Sequence, residues 1–184
     1  GTQVLSLPRL SGLYDVAFLA DGKIATAGQD GTTRVWDAVT GEPFLTLAGP
    51  TSTVIGVAGS PDGTRIATGA YDGSLRVWDA APGRELMTIP AHAGVVWDLA
   101  YNPDGSHLIS AGFDGLVRLW DSETGQLLLT LPQDGVPSNG FTSLAISPDG
   151  SRLAAGAADG TVAVWDAGTG ALLSTLAGHS NLVL

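Results

Sequence analysis

Residues 91–121 read AHAGVVWDLAYNPDGSHLISAGFDGLVRLWD, and their punctuation decides the fold. Val95 to Tyr101, Leu108 to Ala111 and Leu116 to Trp120 are short β-prone runs that alternate or are wholly apolar, the pattern of half-buried and buried strands. Pro103-Asp104-Gly105 and Asp114-Gly115 separate them as turns, because Gly accepts positive φ and an Asp carboxylate bonds its own backbone two residues on. A turn over Ser122 to Gly125 and a fourth run, Leu127 to Leu131, complete a four-stranded antiparallel meander. A lone sheet of this kind buries neither face well, so it must stack on copies of itself.

The copies are in the chain. Trp-Asp recurs at Trp36-Asp37, Trp78-Asp79, Trp120-Asp121 and Trp165-Asp166, at intervals of 42, 42 and 45 residues. Six residues before each Trp stands the Asp of an Asp-Gly pair: Asp30, Asp72, Asp114 and Asp159. A second Asp-Gly pair begins nine or ten residues earlier still, at Asp21, Asp62, Asp104 and Asp149. The repeat units run approximately 1–40, 41–82, 83–124 and 125–169, with a partial fifth over 170–184. Gln3 to Leu7 resembles Pro43 to Leu47 and Leu172 to Leu176, so the outer strand is expected five times. The missing initiator Met suggests a processed or excised chain.

This grammar, with Ala91-His92 and Gly178-His179 ahead of the first strand of a unit, resembles the WD-repeat family of β-propellers along essentially the whole chain. The resemblance implies an all-β fold of four-stranded antiparallel blades, four per chain. Propellers of this family close with about seven or eight blades. Either the chain is a piece of a longer one, or a second copy completes about eight blades in a homodimer. In that dimer Gln3 to Leu7 of one copy and Leu172 to Leu176 of the other compete for the edge beside Trp165. The family also implies a hydrogen-bonded set within each blade, formed by a His, a Ser or Thr of the second strand, the tight-turn Asp and the Trp. Only the third unit carries all four, as His92, Ser110, Asp114 and Trp120. The first has Thr26, Asp30 and Trp36 with Arg9 in place of the His, and the second has Thr68, Asp72 and Trp78 with Pro50. The fourth keeps Asp159 and Trp165 beside Ala155 and Pro137. Buried polar networks stabilise only when satisfied, so blade three is the expected stability maximum.

Composition narrows the function. With 8 Lys and Arg against 18 Asp and Glu, the formal charge of −10 repels a nucleic-acid backbone. No apolar run approaches the roughly 20 residues that cross a bilayer, so no membrane partner is expected. Cys is absent, which removes disulfides, thiolate zinc sites and cysteine nucleophiles. Fifteen of the acids are Asp, and twelve of these occupy the three Asp positions of the repeat, leaving Asp15, Asp98 and Asp134. No calcium loop with alternating acidic oxygens is present. His92, His107 and His179 lie at unrelated repeat phases without a second ligand at close spacing. No metal, cofactor or catalytic residue is therefore expected, and no Gly-x-Ser-x-Gly elbow or phosphate loop appears. Arg34, Arg76 and Arg118 recur two residues before the Trp, either to pair with turn carboxylates or to read anionic groups on a partner.

The start of the first strand holds the candidate binding residues. Two adjacent apolar positions there, Val96 and Trp97 in unit three, suggest a bulge that re-aims one side chain. The re-aimed set is Tyr14, Ile55, Trp97 and Thr142. By the family resemblance these positions, with the residues before each tight-turn Asp, namely Gln29, Tyr71, Phe113 and Ala158, line the face where partners bind. Tyr14, Gln29, Tyr71, Trp97 and Phe113 are the candidate anchors; ordinary packing between blades is the other reading. Three extra residues in unit four fall in Pro132 to Gly140 on the same rim, as a recognition loop or as drift. The expected function is a non-enzymatic interaction scaffold in the cytoplasm, binding a protein or peptide through the rim and central face. The alternative is a self-assembling half-propeller, natural or engineered, whose main partner is another copy of itself.

Overall fold

The computed structural model describes residues 12–49, 52–131, 140–181 and 183. The expected outer strand Gln3 to Leu7, Arg9, Pro50, Pro137 and most of the Pro132 to Gly140 loop lie outside them. Among the described residues, sixteen strands form four separate sheets of four, each an antiparallel meander in chain order. Blade one holds β1 (Leu13–Phe18), β2 (Ile24–Gly28), β3 (Thr32–Trp36) and β4 (Pro43–Ala48). Blade two holds β5 (Val54–Gly59), β6 (Arg65–Ala70), β7 (Ser74–Asp79) and β8 (Glu85–Pro90). Blade three holds β9 (Val96–Tyr101), β10 (His107–Gly112), β11 (Val117–Asp121) and β12 (Leu127–Leu131). Blade four holds β13 (Phe141–Ile146), β14 (Arg152–Ala157), β15 (Thr161–Asp166) and β16 (Leu172–Ala177).

The Asp-Gly turns set these boundaries. At Asp30-Gly31, Gly31 takes φ +79°, and Asp30 Oδ1 accepts the Thr32 amide at 3.1 Å. Asp114 and Gly115 repeat the arrangement, with Gly115 at φ +77° and the Leu116 amide on Asp114 Oδ1 at 3.2 Å. Only Gly adopts such backbone without strain.

Inner strands β1, β5, β9 and β13 touch in sequence around an arc, and apolar side chains fill the space between consecutive blades. Leu19, Val35, Val54, Val57, Ile66 and Trp78 join blades one and two. Leu75, Val77, Val96, Leu99, Tyr101 and Leu108 join blades two and three. Ile109, Leu119, Phe141, Leu153 and Trp165 join blades three and four, where the Phe141 and Trp165 rings meet edge to face with centroids 5.6 Å apart. Blade one has no described blade before it. Its Leu13, Val16 and Phe18 are 49%, 61% and 76% exposed, whereas the residues at the same repeat positions in blade three, Val96, Leu99 and Tyr101, are buried against blade two.

Each inner strand carries a bulge near its start, opposite the end of the second strand. Register shifts occur between Leu13 and Asp15, Val54 and Gly56, and Phe141 and Ser143, and in blade three around Trp97. The extra residue in each, Tyr14, Ile55, Trp97 or Thr142, is thereby turned away from the blade-to-blade core and toward the axis of the arc.

Candidate functional site

Three of the four blades anchor their Trp by a hydrogen bond inside the sheet. Trp36 Nε1 donates to Thr26 Oγ1 at 3.0 Å, Trp78 Nε1 to Thr68 Oγ1 at 3.0 Å, and Trp120 Nε1 to Ser110 Oγ at 2.9 Å. In blade three the chain continues: Ser110 Oγ is 2.8 Å from His92 Nε2, and His92 Nδ1 is 2.8 Å from Asp114 Oδ1. The Trp-to-Asp links are satisfied with Ser110 donating to Nε2 and a neutral His92 donating from Nδ1 to the Asp114 carboxylate, while Arg118 Nη1, 2.7 Å from the same Nδ1, donates to Asp114 Oδ2 at 2.8 Å. Burial pushes the His92 pKa down, which favours that neutral ring. Burial works to raise the Asp114 pKa, but hydrogen bonds from Arg118 and His92 outweigh it and hold the carboxyl below its usual range. Blade four breaks the pattern: Ala155 replaces the hydroxyl residue, and Trp165 Nε1 and Asp159 Oδ2 are buried without a partner among the described residues. The recurrent arginines face the turn acids, at 2.7 Å for Arg34 and Asp30, 2.8 Å for Arg118 and Asp114, and 3.9 Å for Arg76 and Asp72.

The re-aimed residues come together. Tyr14, Asp15, Ile55, Trp97, Asp98, Thr142 and Ser143 line one axial cleft of about 370 Å³. Tyr14 is 51% exposed and Trp97 half-buried, its Nε1 sealed from solvent without a partner among the described residues. The residues before the tight-turn Asp stand beside them through one repeated backbone bond. The amides of Gln29, Tyr71, Phe113 and Ala158 donate to the carbonyls of Gly12, Thr53, Val95 and Gly140, each two residues ahead of a re-aimed side chain. Tyr71 and Phe113 are 63% and 54% exposed, and Gln29 lies over Gly12, where a Cβ would meet its Oε1 at 2.4 Å.

Asp15 and Asp98, left over when the turn acids are set aside, have specific work in this cleft. Asp15 Oδ2 accepts the Val57 amide of blade two at 2.8 Å, and Asp98 Oδ2 accepts the Leu144 amide of blade four at 2.7 Å. Their other oxygens hold the amides of Val16 and Leu99, both at 2.7 Å. Each carboxylate clasps one blade to the next. Burial pushes the Asp98 carboxyl up to about 6; the Leu144 and Leu99 amides oppose this shift, and the charge of Asp15 adds to it. Both acids occupy the same repeat phase, with Gly56 and Ser143 at the equivalent places, and that phase is the signal that singles them out. Gly56 is small because a Cβ there would meet Leu99 Cδ2 at 2.6 Å.

Among the described residues, no group of three or more His, Asp and Glu side chains could hold a metal ion, and no helix is long and apolar enough to cross a membrane.

The family model described as "WD domain, G-beta repeat" matches residues 2–37, 41–79, 83–121 and 125–166. One stretch of 45 residues is 44% identical to ribosome assembly protein 4 of Chaetomium thermophilum, covering 24% of this chain and 9% of that protein. Four blades with buried Trp at the end of every third strand, and four matched repeats, lead to one conclusion: the chain belongs to the WD-repeat family.

Proposed function

We propose that the chain is a non-enzymatic interaction platform of the cytoplasm, recognising a protein or peptide across the axial cleft and the aromatic rim around it. The supporting observation is convergence. Residues up to about 130 positions apart in sequence, from Tyr14 to Ser143, line one cleft, and Tyr71 and Phe113 are exposed at its margin. Large aromatic side chains dominate interface energetics. The similarity to a ribosome assembly protein spans a single repeat length, so it supports the repeat and leaves the partner open. The test is capture from an extract of source cells. The Tyr71→Ala/Phe113→Ala double variant should lose the captured partner, as should Trp97→Ala, with the melting temperature within a few degrees of the parent. Leu173→Ser on outer strand β16 should retain it. Retention of the partner by the double variant, or a large loss of stability in it, returns these side chains to a packing role.

A second reading, self-association, has its own observation. Blade one exposes Leu13, Val16 and Phe18, the positions that blade three inserts against blade two. Blade four leaves Ala154, Val162 and Val164 half-buried and Leu176 exposed, the positions at which blade two receives blade three. These are the two halves of one repeat interface. Extensive apolar sheet faces are not left bare on soluble proteins, and a second copy that brings the ring to eight blades supplies each half with the other. Light scattering of this chain should give twice 18.6 kDa. A mass of 18.6 kDa at high concentration, with a cooperative melt, overturns the dimer.

A further inference from the structure

At the end of the blades opposite the axial face, the turns after the first and third strands enclose a cleft of about 330 Å³ between blades two and three. Its wall is acidic. Asp62, Asp104, Asp121 and Glu123 line it, and Arg65 is the one basic side chain among them. Arg65 is already engaged: Nη1 donates to the Ser122 carbonyl at 2.6 Å, and Nη2 is 3.9 Å from Glu123 Oε1. Asp121 gives Oδ1 to its own turn, accepting the Glu123 and Thr124 amides at 3.1 and 2.7 Å, and no donor reaches its Oδ2 among the described residues. Turn hydrogen bonds hold Asp62, Asp104 and Asp121 below the usual carboxyl range, so the wall stays ionised.

An independent observation points into the same space. Tyr101 is 9% exposed and lines the cleft, yet its hydroxyl is buried without a partner among the described residues. The residues at this repeat position in the other blades, Phe18, Gly59 and Ile146, carry no hydroxyl, so the fold does not require one here. Burial raises the Tyr101 pKa and keeps the group a neutral hydroxyl. The chain itself displays what such an acidic turn accepts. At the matching turn of blade one, the Lys23 ammonium rests on Asp21 and lies 4.3 Å from the centre of the Phe44 ring.

We propose that the cleft between blades two and three is a binding site for a protonated alkylamine, whose ammonium donates to the acidic wall and to the Tyr101 hydroxyl. An anion is repelled by the wall, and the carboxylates are too dispersed for a metal ion. Two sources present this chemistry, a lysine side chain of a partner protein and a free small amine. No residue of this cleft belongs to the axial face, so the site stands or falls independently of it.

The experiment is an amide-resolved NMR titration of the whole chain at constant ionic strength, which removes screening as a variable. The probes are n-butylammonium chloride, then a blocked Gly-Lys-Gly peptide, with blocked Gly-Gln-Gly and sodium chloride as controls. Saturable shifts at the Ser106 and Ser122 amides are expected, with Kd about 1 mM or tighter. Tyr101→Phe, which places in blade three the residue that blade one already carries, should weaken binding at least about threefold, as should Asp121→Asn, since each removes one acceptor. Tighter binding of the lysine peptide than of butylammonium identifies a partner side chain as the source, and the reverse identifies a free amine. Non-saturating shifts matched by sodium chloride overturn the proposal. So does unchanged affinity in both folded variants.

Discussion

Replacing His92 by Ala removes the acceptor for Ser110 and the donor to Asp114 at once, in a site where both partners are shielded. The expected cost is about 1–3 kcal/mol, read as a fall in the denaturation midpoint; a change under about 0.5 kcal/mol contradicts the network. The converse substitution lies in blade four. Ala155→Ser puts a hydroxyl where Ser110 stands in blade three, and Trp165 Nε1, now unpartnered, gains an acceptor. Thr26 shows that such a hydroxyl needs no His, because its own proton goes to the Arg34 carbonyl at 3.3 Å. The expected gain is about 1 kcal/mol, and a loss of stability means the packing around Ala155 cannot take the oxygen. Asp98 supplies a pH signature. Its carboxyl is raised to about 6 in the fold, so the folded state binds the proton more tightly than the unfolded chain. Its contribution to stability is complete below about pH 4 and is lost as pH rises through 6, a difference of about 2–3 kcal/mol. His92, lowered by burial, acts in the opposite sense, its contribution being lost as pH falls below about 6.5. Carboxyl-carbon NMR separates the two: Asp98 titrating near 4 would remove the effect.

Among whole blades, hydrogen exchange should rank blade three above blade four. Blade three is covered on both faces and holds an unbroken Trp-to-Asp chain of hydrogen bonds, whereas outer strand β16 of blade four is exposed throughout. Equal protection of β10 and β14 contradicts this ranking. The four-strand grammar was legible because each boundary is written locally, by an Asp-Gly pair or a Trp-Asp end. Edges still moved by a residue: β10 begins at His107 rather than Leu108, and β11 runs Val117–Asp121 rather than Leu116 to Trp120. The bulge was legible too, from two adjacent apolar residues such as Val96 and Trp97, and the structure turns Trp97 into the axial cleft. Contacts between blades were not legible. The Asp15 clasp to Val57 and the Arg65 bond to Ser122 join residues 42 and 57 positions apart, and neither pair has a local pattern that marks it. In sequence only their shared repeat phase sets Asp15 and Asp98 apart from the turn acids.

For the molecule as a whole, the proposed self-association makes the faces of blades one and four the ones to test. Phe18→Glu and Val164→Glu each bury a charge in one half of the repeat interface. Each variant alone is expected to keep one usable half, so the two mixed should form pairs joined through their intact halves while neither closes a ring. Analytical ultracentrifugation of the mixture tests this, and equal self-association of the parent and both variants contradicts it. Because a blade-one face is complementary to a blade-four face and not to another of its own kind, every copy that joins presents a fresh acceptor. Such head-to-tail contacts end only when rotation brings the last copy back to the first. If copies join in the proposed way, the angle from blade to blade decides between a closed disc and an open spiral filament, and a small change in that angle at a single junction, such as the one where Gly56 makes room for Leu99, would exchange a soluble particle for a polymer that lengthens with concentration.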